Sequence, residues 1–216
     1  MIGLIIADKH ELNKIRWSEK EEVTKNGFDF IVYEVNGQDV VVSHSGIGVV
    51  KAAACIQEMI SSFGVKKVYN YGAVGADSTL NVFDLVTPKK IYFHDVITPW
   101  YPRGQVPGDV QFYINNLRIP GVKNNPIASG MKFISSEEDV QEIQKDLVVS
   151  IFDMETAGMA QIAYNNNVDL YVLKCVSDII GKDSSRLGDI NYRITEAGKI
   201  AFQRTMELID EATKNA

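Results

Sequence analysis

Leu147-Val148-Val149-Ser150-Ile151-Phe152-Asp153-Met154-Glu155, the alanine-rich stretch from Thr156 to Asn167, and Leu170-Tyr171-Val172-Leu173-Lys174-Cys175-Val176-Ser177-Asp178 decide the fold. Two apolar runs flank a segment of helix-forming composition. A short continuous apolar run predicts a strand covered on both faces, and strands alternating with helices predict a parallel or mixed sheet under covering helices. Outward from this stretch the pattern repeats. Further apolar runs cover Gly3 to Ala7, Val40 to Ser43, Lys67 to Tyr71 and Leu85 to Phe93. Helical spacing appears from Val49 to Phe63, through Val50, Ala53, Ala54 and Ile60, and from Ile194 to Ala212, through Ala197, Ile200, Ala201, Leu208 and Ile209. Asn36-Gly37, between Phe30 to Val35 and Asp39 to Ser43, predicts an antiparallel hairpin. Thr98 to Asn125 is rich in Pro and Gly and weak in periodicity, the mark of a long surface excursion of the kind that closes over ligands or partners.

The 216 residues predict one domain spanning 1–216, large enough to bury a core without disulfide or metal staples. Lys plus Arg 22 against Asp plus Glu 28 gives a net charge of -6, with the acidic residues scattered. That balance argues against a nucleic-acid partner, since a binder of phosphate backbones carries the opposite excess. No run approaches the roughly 18 apolar residues of a membrane span. Met1 to Ala7 is too short for a secretory core and lacks preceding basic residues, so neither membrane nor export is expected. Cys55 and Cys175 sit in apolar stretches without metal-ligand spacing. They are expected to be buried free thiols in a reducing cytoplasm, with no metal site.

Gly46-Ile47-Gly48 follows a strand, but the sixth position of a dinucleotide fingerprint falls on Lys51, and neither a phosphate-binding loop, a nucleophile elbow nor a zinc-protease motif occurs. No cofactor is expected. His10, His44 and His94 lie far apart and each reads as structural or surface. What stands out is the placement of Glu11, Glu155 and Asp178 just after buried strands, where an α/β sheet opens its ligand crevice. One such carboxylate would read as a helix cap, whereas three at the same sheet edge point to a site. Ser45-Gly46-Ile47-Gly48 and Gly72-Ala73-Val74-Gly75-Ala76 supply turns that let a ligand approach the backbone.

Gly3 to Glu11, Ser45 to Gly48 with Ala52-Ala53, Gly72 to Gly75, Phe93-His94-Asp95, Gly104-Gln105, Ser129-Gly130 with Phe133-Ile134, Asp153-Met154-Glu155 and Val176-Ser177-Asp178 resemble the 5'-methylthioadenosine/S-adenosylhomocysteine nucleosidases of the purine nucleoside phosphorylase-like superfamily. The order and spacing match along almost the whole chain. The resemblance implies a nucleoside phosphorylase-like, three-layer α/β/α fold around a central mixed sheet, and hydrolysis of the bond joining adenine to ribose. It further implies that Glu11 activates the attacking water and Asp178 acts as acid toward the purine. Met154 and Glu155 would hold the ribose, Phe133 would stack on the base, and the Ile134 backbone would bond the base edge. Ser177 would orient Asp178, while Ile47 and the backbone of Ala73 to Gly75 would line the ribose and water side. A homodimer is implied, with Pro99 to Pro107 reaching toward the neighbour's pocket.

Those residue types suit the chemistry. Adenine leaves poorly as an anion, so a general acid worth about 10² to 10⁴ in rate is a natural requirement. The sugar becomes cationic as the bond stretches, and carboxylates stabilise it. Three departures stand out: Asp8 where the family has an apolar residue touching the ribose, Met131 where an acidic residue is common, and Lys174 where arginine is usual. The stretch between His94-Asp95 and Gly104-Gln105 is slightly short for the family. Two alternatives to hydrolysis are a phosphorolytic relative, which would need a cationic cradle for phosphate, and a non-catalytic nucleoside-binding or storage protein.

Overall fold

The computed structural model describes residues 1–8, 15–182 and 187–214. Its centre is β1 (Ile2–Ile6), buried at every residue and paired in parallel with β4 (Gln38–His44) on one side and β5 (Lys67–Ala76) on the other. Successive side chains of β1 enter opposite layers: Ile5 packs in one apolar layer, Leu4 and Ile6 in the other. The Ile5 layer is covered by α1 (Val49–Phe63) and α3 (Thr156–Asn165) through Ala52, Ile56, Met59, Ala157, Met159 and Ala160. Ala197, Ala201 and Ile209 of α4 (Leu187–Lys214) cover the other. The result is the expected three-layer α/β/α architecture around a mixed sheet of eleven strands.

From β2 (Ser18–Lys25) the sheet runs through β3 (Phe28–Val35), β4, β1 and β5 to β10 (Ile151–Asp153), β9 (Ile127–Ser129), β7 (Lys90–Phe93) and β8 (Tyr113–Ile114). β11 (Asp169–Ile179) lies parallel to β5 and pairs on its far side with β6 (Leu85–Val86). The expected hairpin joins β3 to β4 by a two-residue turn, with Asn36 at φ 51 and Gly37 at φ 79. Those left-handed angles match the strand twist.

Several expected boundaries differ. The run Leu85 to Phe93 is two strands, β6 and β7, parted at Thr87-Pro88-Lys89, because proline cannot donate to a ladder. Within Leu147 to Phe152 only Ile151 and Phe152 are strand; Leu147 and Val149 are buried against Val140 and Ile143 of α2 (Glu137–Gln144) instead. α3 ends at Asn165, two residues short of the expected Asn167. β2 and α2 were not expected because their charged sequences carry no apolar run. β2 is the exposed, charged outer edge of the sheet, which discourages edge pairing. α2 starts at Ser136, whose hydroxyl accepts from the Asp139 N–H at 3.2 Å, with Glu137, Glu138 and Asp139 in its first turn.

The excursion from Thr98 to Asn125 is less superficial than its composition implies. Asn115 is fully buried: its amide donates to the Val172 carbonyl at 2.9 Å and accepts the Val172 N–H at 2.8 Å. One side chain thus replaces a neighbouring strand along the edge of β11.

α1 and α3 pack closely because Gly158 lacks a side chain; a Cβ there would come within 2.3 Å of the Val49 carbonyl oxygen. Gly158→Ala would gain about 1 kcal/mol of helix propensity but force the helices apart, for an expected net loss of about 2 kcal/mol. Urea unfolding should give a lower midpoint for the variant; an unchanged midpoint would show that the helices separate without cost.

Candidate active site

β1 and β11 run parallel to β5, and their later residues meet the end of β10, which runs antiparallel to β5, on one side of the sheet. A cavity of about 230 Å³ lies there. β1 contributes Ala7 and Asp8, the turn after β4 Ile47, and β5 Ala73, Val74 and Gly75. The segment after β9 adds Phe133, Ile134 and Ser135; β10 and its extension add Phe152, Asp153, Met154 and Glu155. Ser177 and Asp178 of β11 and Ile190 and Ile194 of α4 close it.

The structure therefore brings Ile47, Ala73, Gly75, Phe133, Ile134, Met154, Glu155, Ser177 and Asp178 around one space. Glu11, with His10, lies outside the described residues. Phe133 is 69% exposed and stands at the mouth, whereas Ile134 is buried beside it.

Asp178 is aimed by two features. The β5–β11 register slips by one residue between Val176 and Asp178, leaving Asp178 opposite Gly75. The Ser177 hydroxyl, 3.1 Å from the Val74 carbonyl, donates to Asp178 Oδ1 at 2.6 Å. The other oxygen, Oδ2, lies over Gly75, where a Cβ would stand 3.6 Å from it. Asp178 is thus held at Oδ1 while it lines the cavity.

Glu155 is 8% exposed, at the N-terminus of α3. Its Oε1 accepts the Gly48 N–H at 2.9 Å and its Oε2 the Met154 N–H at 3.2 Å. Burial, then the neighbouring Asp153 charge, push the Glu155 carboxyl up to about 7, against the opposing pull of Lys174 and the two N–H groups. Asp153 behaves differently. Burial again disfavours its charge, but Lys174 and the hydroxyls of Ser129 and Thr156 outweigh it and hold the carboxyl below its ordinary value. Lys174 Nζ lies 3.0 Å from Asp153 Oδ2, both side chains being almost wholly buried.

Sequence reading assigned no role to Asp153, Lys174 or the Gly48 N–H. One signal was available: a lone lysine inside the apolar run Leu170 to Val176 requires a buried partner. Ser135, Phe152, Ile190 and Ile194 were assigned no role and become wall residues only through the fold.

The geometry defines a nucleoside-phosphorylase type of protein, and the comparisons agree. The model of the Phosphorylase superfamily matches residues 1–212. A 5'-methylthioadenosine/S-adenosylhomocysteine nucleosidase of Marinomonas sp. (strain MWYL1) is 32% identical over 235 residues, covering 99% of this chain and 98% of the relative. A nucleosidase structure of the same description from Colwellia psychrerythraea 34H, in complex with adenine, has 26% identity and a TM-score of 0.84, covering 94% of this chain and 91% of that one. The S. pneumoniae nucleosidase bound to the transition-state inhibitor MT-ImmA, at 24% identity, shares the fold with a TM-score of 0.88 over 97% of this chain and 98% of that one. The chain belongs to the phosphorylase superfamily and, within it, to the 5'-methylthioadenosine/S-adenosylhomocysteine nucleosidase family.

A carboxyl raised from 4.5 to about 7 by folding contributes stability that is fully present below its unfolded value and lost as pH rises through the folded one. Glu155→Gln removes that loss. The variant should therefore gain about 3 kcal/mol relative to the parent between pH 5 and pH 8. Urea unfolding of both proteins at the two pH values checks this; a difference that does not change with pH would mean that Glu155 titrates at an ordinary value.

Proposed function

We propose that this protein hydrolyses the N-glycosidic bond of adenine nucleosides, releasing adenine, with 5'-methylthioadenosine and S-adenosylhomocysteine as its substrates. The observation that carries the reading is the meeting of an oriented carboxyl, Asp178, and a buried carboxyl, Glu155, on the walls of one largely apolar cavity. Membership of a nucleosidase family supports it.

In this reading Asp178, steered by Ser177, delivers a proton to the purine, so that adenine leaves neutral. Phe133 stacks on the base and the Ile134 backbone bonds its edge. Glu155 accepts from the ribose hydroxyls and, as the sugar turns cationic, stabilises it beside Met154. Glu11 activates the water, and Ile47, Ala73 and Gly75 enclose the ribose and water side.

Water is the nucleophile that suits this wall. Among the described residues no arginine or lysine lines the cavity. Arg103 is committed elsewhere, to Glu142 at 2.8 Å and to the His94 carbonyl at 2.9 Å. Among the described residues phosphate would meet Asp8, Glu155 and Asp178 with no lysine or arginine on the wall, at a cost of several kcal/mol.

The chain works, in the same reading, as one domain over residues 1–216 and in the cytoplasm. The continuous sheet supports the first. Supporting the second, Cys55 and Cys175 are buried free thiols raised by burial to about 11 and about 12, and no described helix is long and apolar enough to cross a membrane. A second copy of the chain is the expected partner. Ile47, Val50, Ile97, Trp100, Met131 and Phe133 are exposed apolar side chains, and Trp100 is 83% exposed. Gly48 and Asp95 draw two of their segments to Met131: a Cβ at Gly48 would stand 3.2 Å from its Sδ, and Asp95 accepts its N–H at 2.7 Å. Apolar side chains thus gather beside the cavity mouth, as at the core of an interface.

The purified protein should release adenine and free sugar from 5'-methylthioadenosine at a rate independent of added phosphate. Glu11→Gln should nearly stop it, and Asp178→Asn should lose most of kcat while keeping substrate binding within about tenfold. A sugar 1-phosphate product with a rate saturating in phosphate would make the protein a phosphorylase, and tight binding without turnover would make it a binding protein. Separately, replacing Trp100 and Tyr101 by serine should weaken self-association and raise KM together; unchanged sedimentation and kinetics would reduce that segment to plain surface.

A further inference from the structure

We propose that Asp153, on the cavity wall, and Lys174, buried against it, are a positioning pair that sets both the direction and the charge of Glu155. This deepens the proposed function and rests on it only for the enzymatic readout.

Direction comes from Asp153. Its Oδ1 accepts the N–H of Glu155 at 3.3 Å and of Thr156 at 3.2 Å, so the backbone that carries Glu155 into the cavity is tied to this carboxylate. Ser129 donates to Oδ1 at 2.5 Å and Thr156 donates to Oδ2, which fixes the carboxylate between β9 and α3. Lys174, 3.0 Å away on β11, completes the hold. Side chains from β9, α3 and β11 thus converge on the residue preceding Met154-Glu155.

Charge comes from the pair as a unit. A buried Glu155 beside an unpaired Asp153 anion would stay protonated and could not accept hydrogen bonds from two ribose hydroxyls. Lys174, 2% exposed, is the cation that offsets Asp153. The remaining charged surroundings do not replace it. On the β7 side His94 is buried with its Nε2 lacking a hydrogen-bond partner and its protonated form disfavoured by burial, and Asp95 beside it is acidic. From β11 comes a further carboxyl, Asp178, and α1 contributes the Gly48 N–H. Arg103 and Lys132 act on His94 from farther out, and Arg103 is paired with Glu142.

The two members must then act on Glu155 with opposite sign. The limb of the kcat/KM profile for 5'-methylthioadenosine that reports Glu155 ionisation should move to higher pH in Lys174→Met and to lower pH in Asp153→Asn. Each shift should be at least about half a pH unit. Lys174→Arg, which keeps the charge, should leave the midpoint in place, and in Lys174→Met the loss should fall on KM as well as kcat. Carbon-13 NMR titration of the Glu155 carboxyl in the same proteins assigns the limb directly. Shifts in the same direction, or a lower Tm with unmoved midpoints, would make the pair merely structural and overturn the proposal. Should Lys174→Met not fold, the downward shift in Asp153→Asn decides alone. If the parent protein releases no adenine, the proposed function falls, while the carbon-13 titration still tests the pair.

Discussion

One slip in strand register governs what the cavity can do. β11 follows β5 residue for residue from Asp169 opposite Lys67 to Val176 opposite Val74, and then carries an extra residue, so that Asp178 rather than Ser177 faces Gly75. Leu170, Val172 and Val176 share the layer under α1 and α3, and past the slip Ile179 shares it too. The parity has changed. In an unbroken strand Asp178 would point with Val176 into that apolar layer; the bulge turns it to the cavity instead. The same slip brings the Ser177 hydroxyl within reach of both the Val74 carbonyl and the Asp178 carboxyl.

The cost of the site falls on its acidic residues. Asp8, Asp153, Glu155 and Asp178 all line a cavity whose remaining wall is mainly aliphatic and aromatic. Burying carboxylates in such company is unfavourable unless each is paired or protonated. Asp153 is paired, through Lys174 and two hydroxyls. Among the described residues Glu155 receives two backbone N–H groups, which do not offset burial and the Asp153 charge, and its carboxyl stays raised to about 7. Destabilisation at a functional group, offset by dense packing of α1 on α3 beneath it, is the usual division between site and scaffold.

How much of this was legible in the sequence depended on whether a residue's neighbours were local. The central strands could be read because runs such as Ile2 to Ile6 reflect burial directly; α1 could be read as a helix, but its buried face is Ala52, Cys55, Ile56 and Met59 rather than the expected Val50, Ala53, Ala54 and Ile60, with Val50 69% exposed. β2 and α2 could not, since Ser18 to Lys25 and Glu137 to Gln144 are held by an edge ladder and by capping rather than by apolar periodicity. Pro88 divided a run that hydropathy joins. Asp178 and Glu155 were visible as carboxylates at strand ends. The Gly48 N–H that meets Glu155, 107 residues away in sequence, and the Lys174–Asp153 contact between separate strands are products of topology. Glu11, which the sequence also marked as a carboxylate after a buried strand, lies outside the described residues.

Glu155 stands at the meeting of two helix N-termini, with one donor preceding α1 and another preceding α3. Helix dipoles and exposed N–H groups favour an anion there, whereas burial and Asp153 favour the neutral acid. The second set outweighs the first and lifts the carboxyl to about 7, so it is close to half ionised near pH 7. A ligand whose hydroxyls donate to Glu155 adds to the first set alone, so its binding draws the proton off the carboxyl. A donor that favours the anion therefore adds to the charge already present near pH 7, and at that pH the carboxyl carries part rather than all of its repulsion toward Asp153.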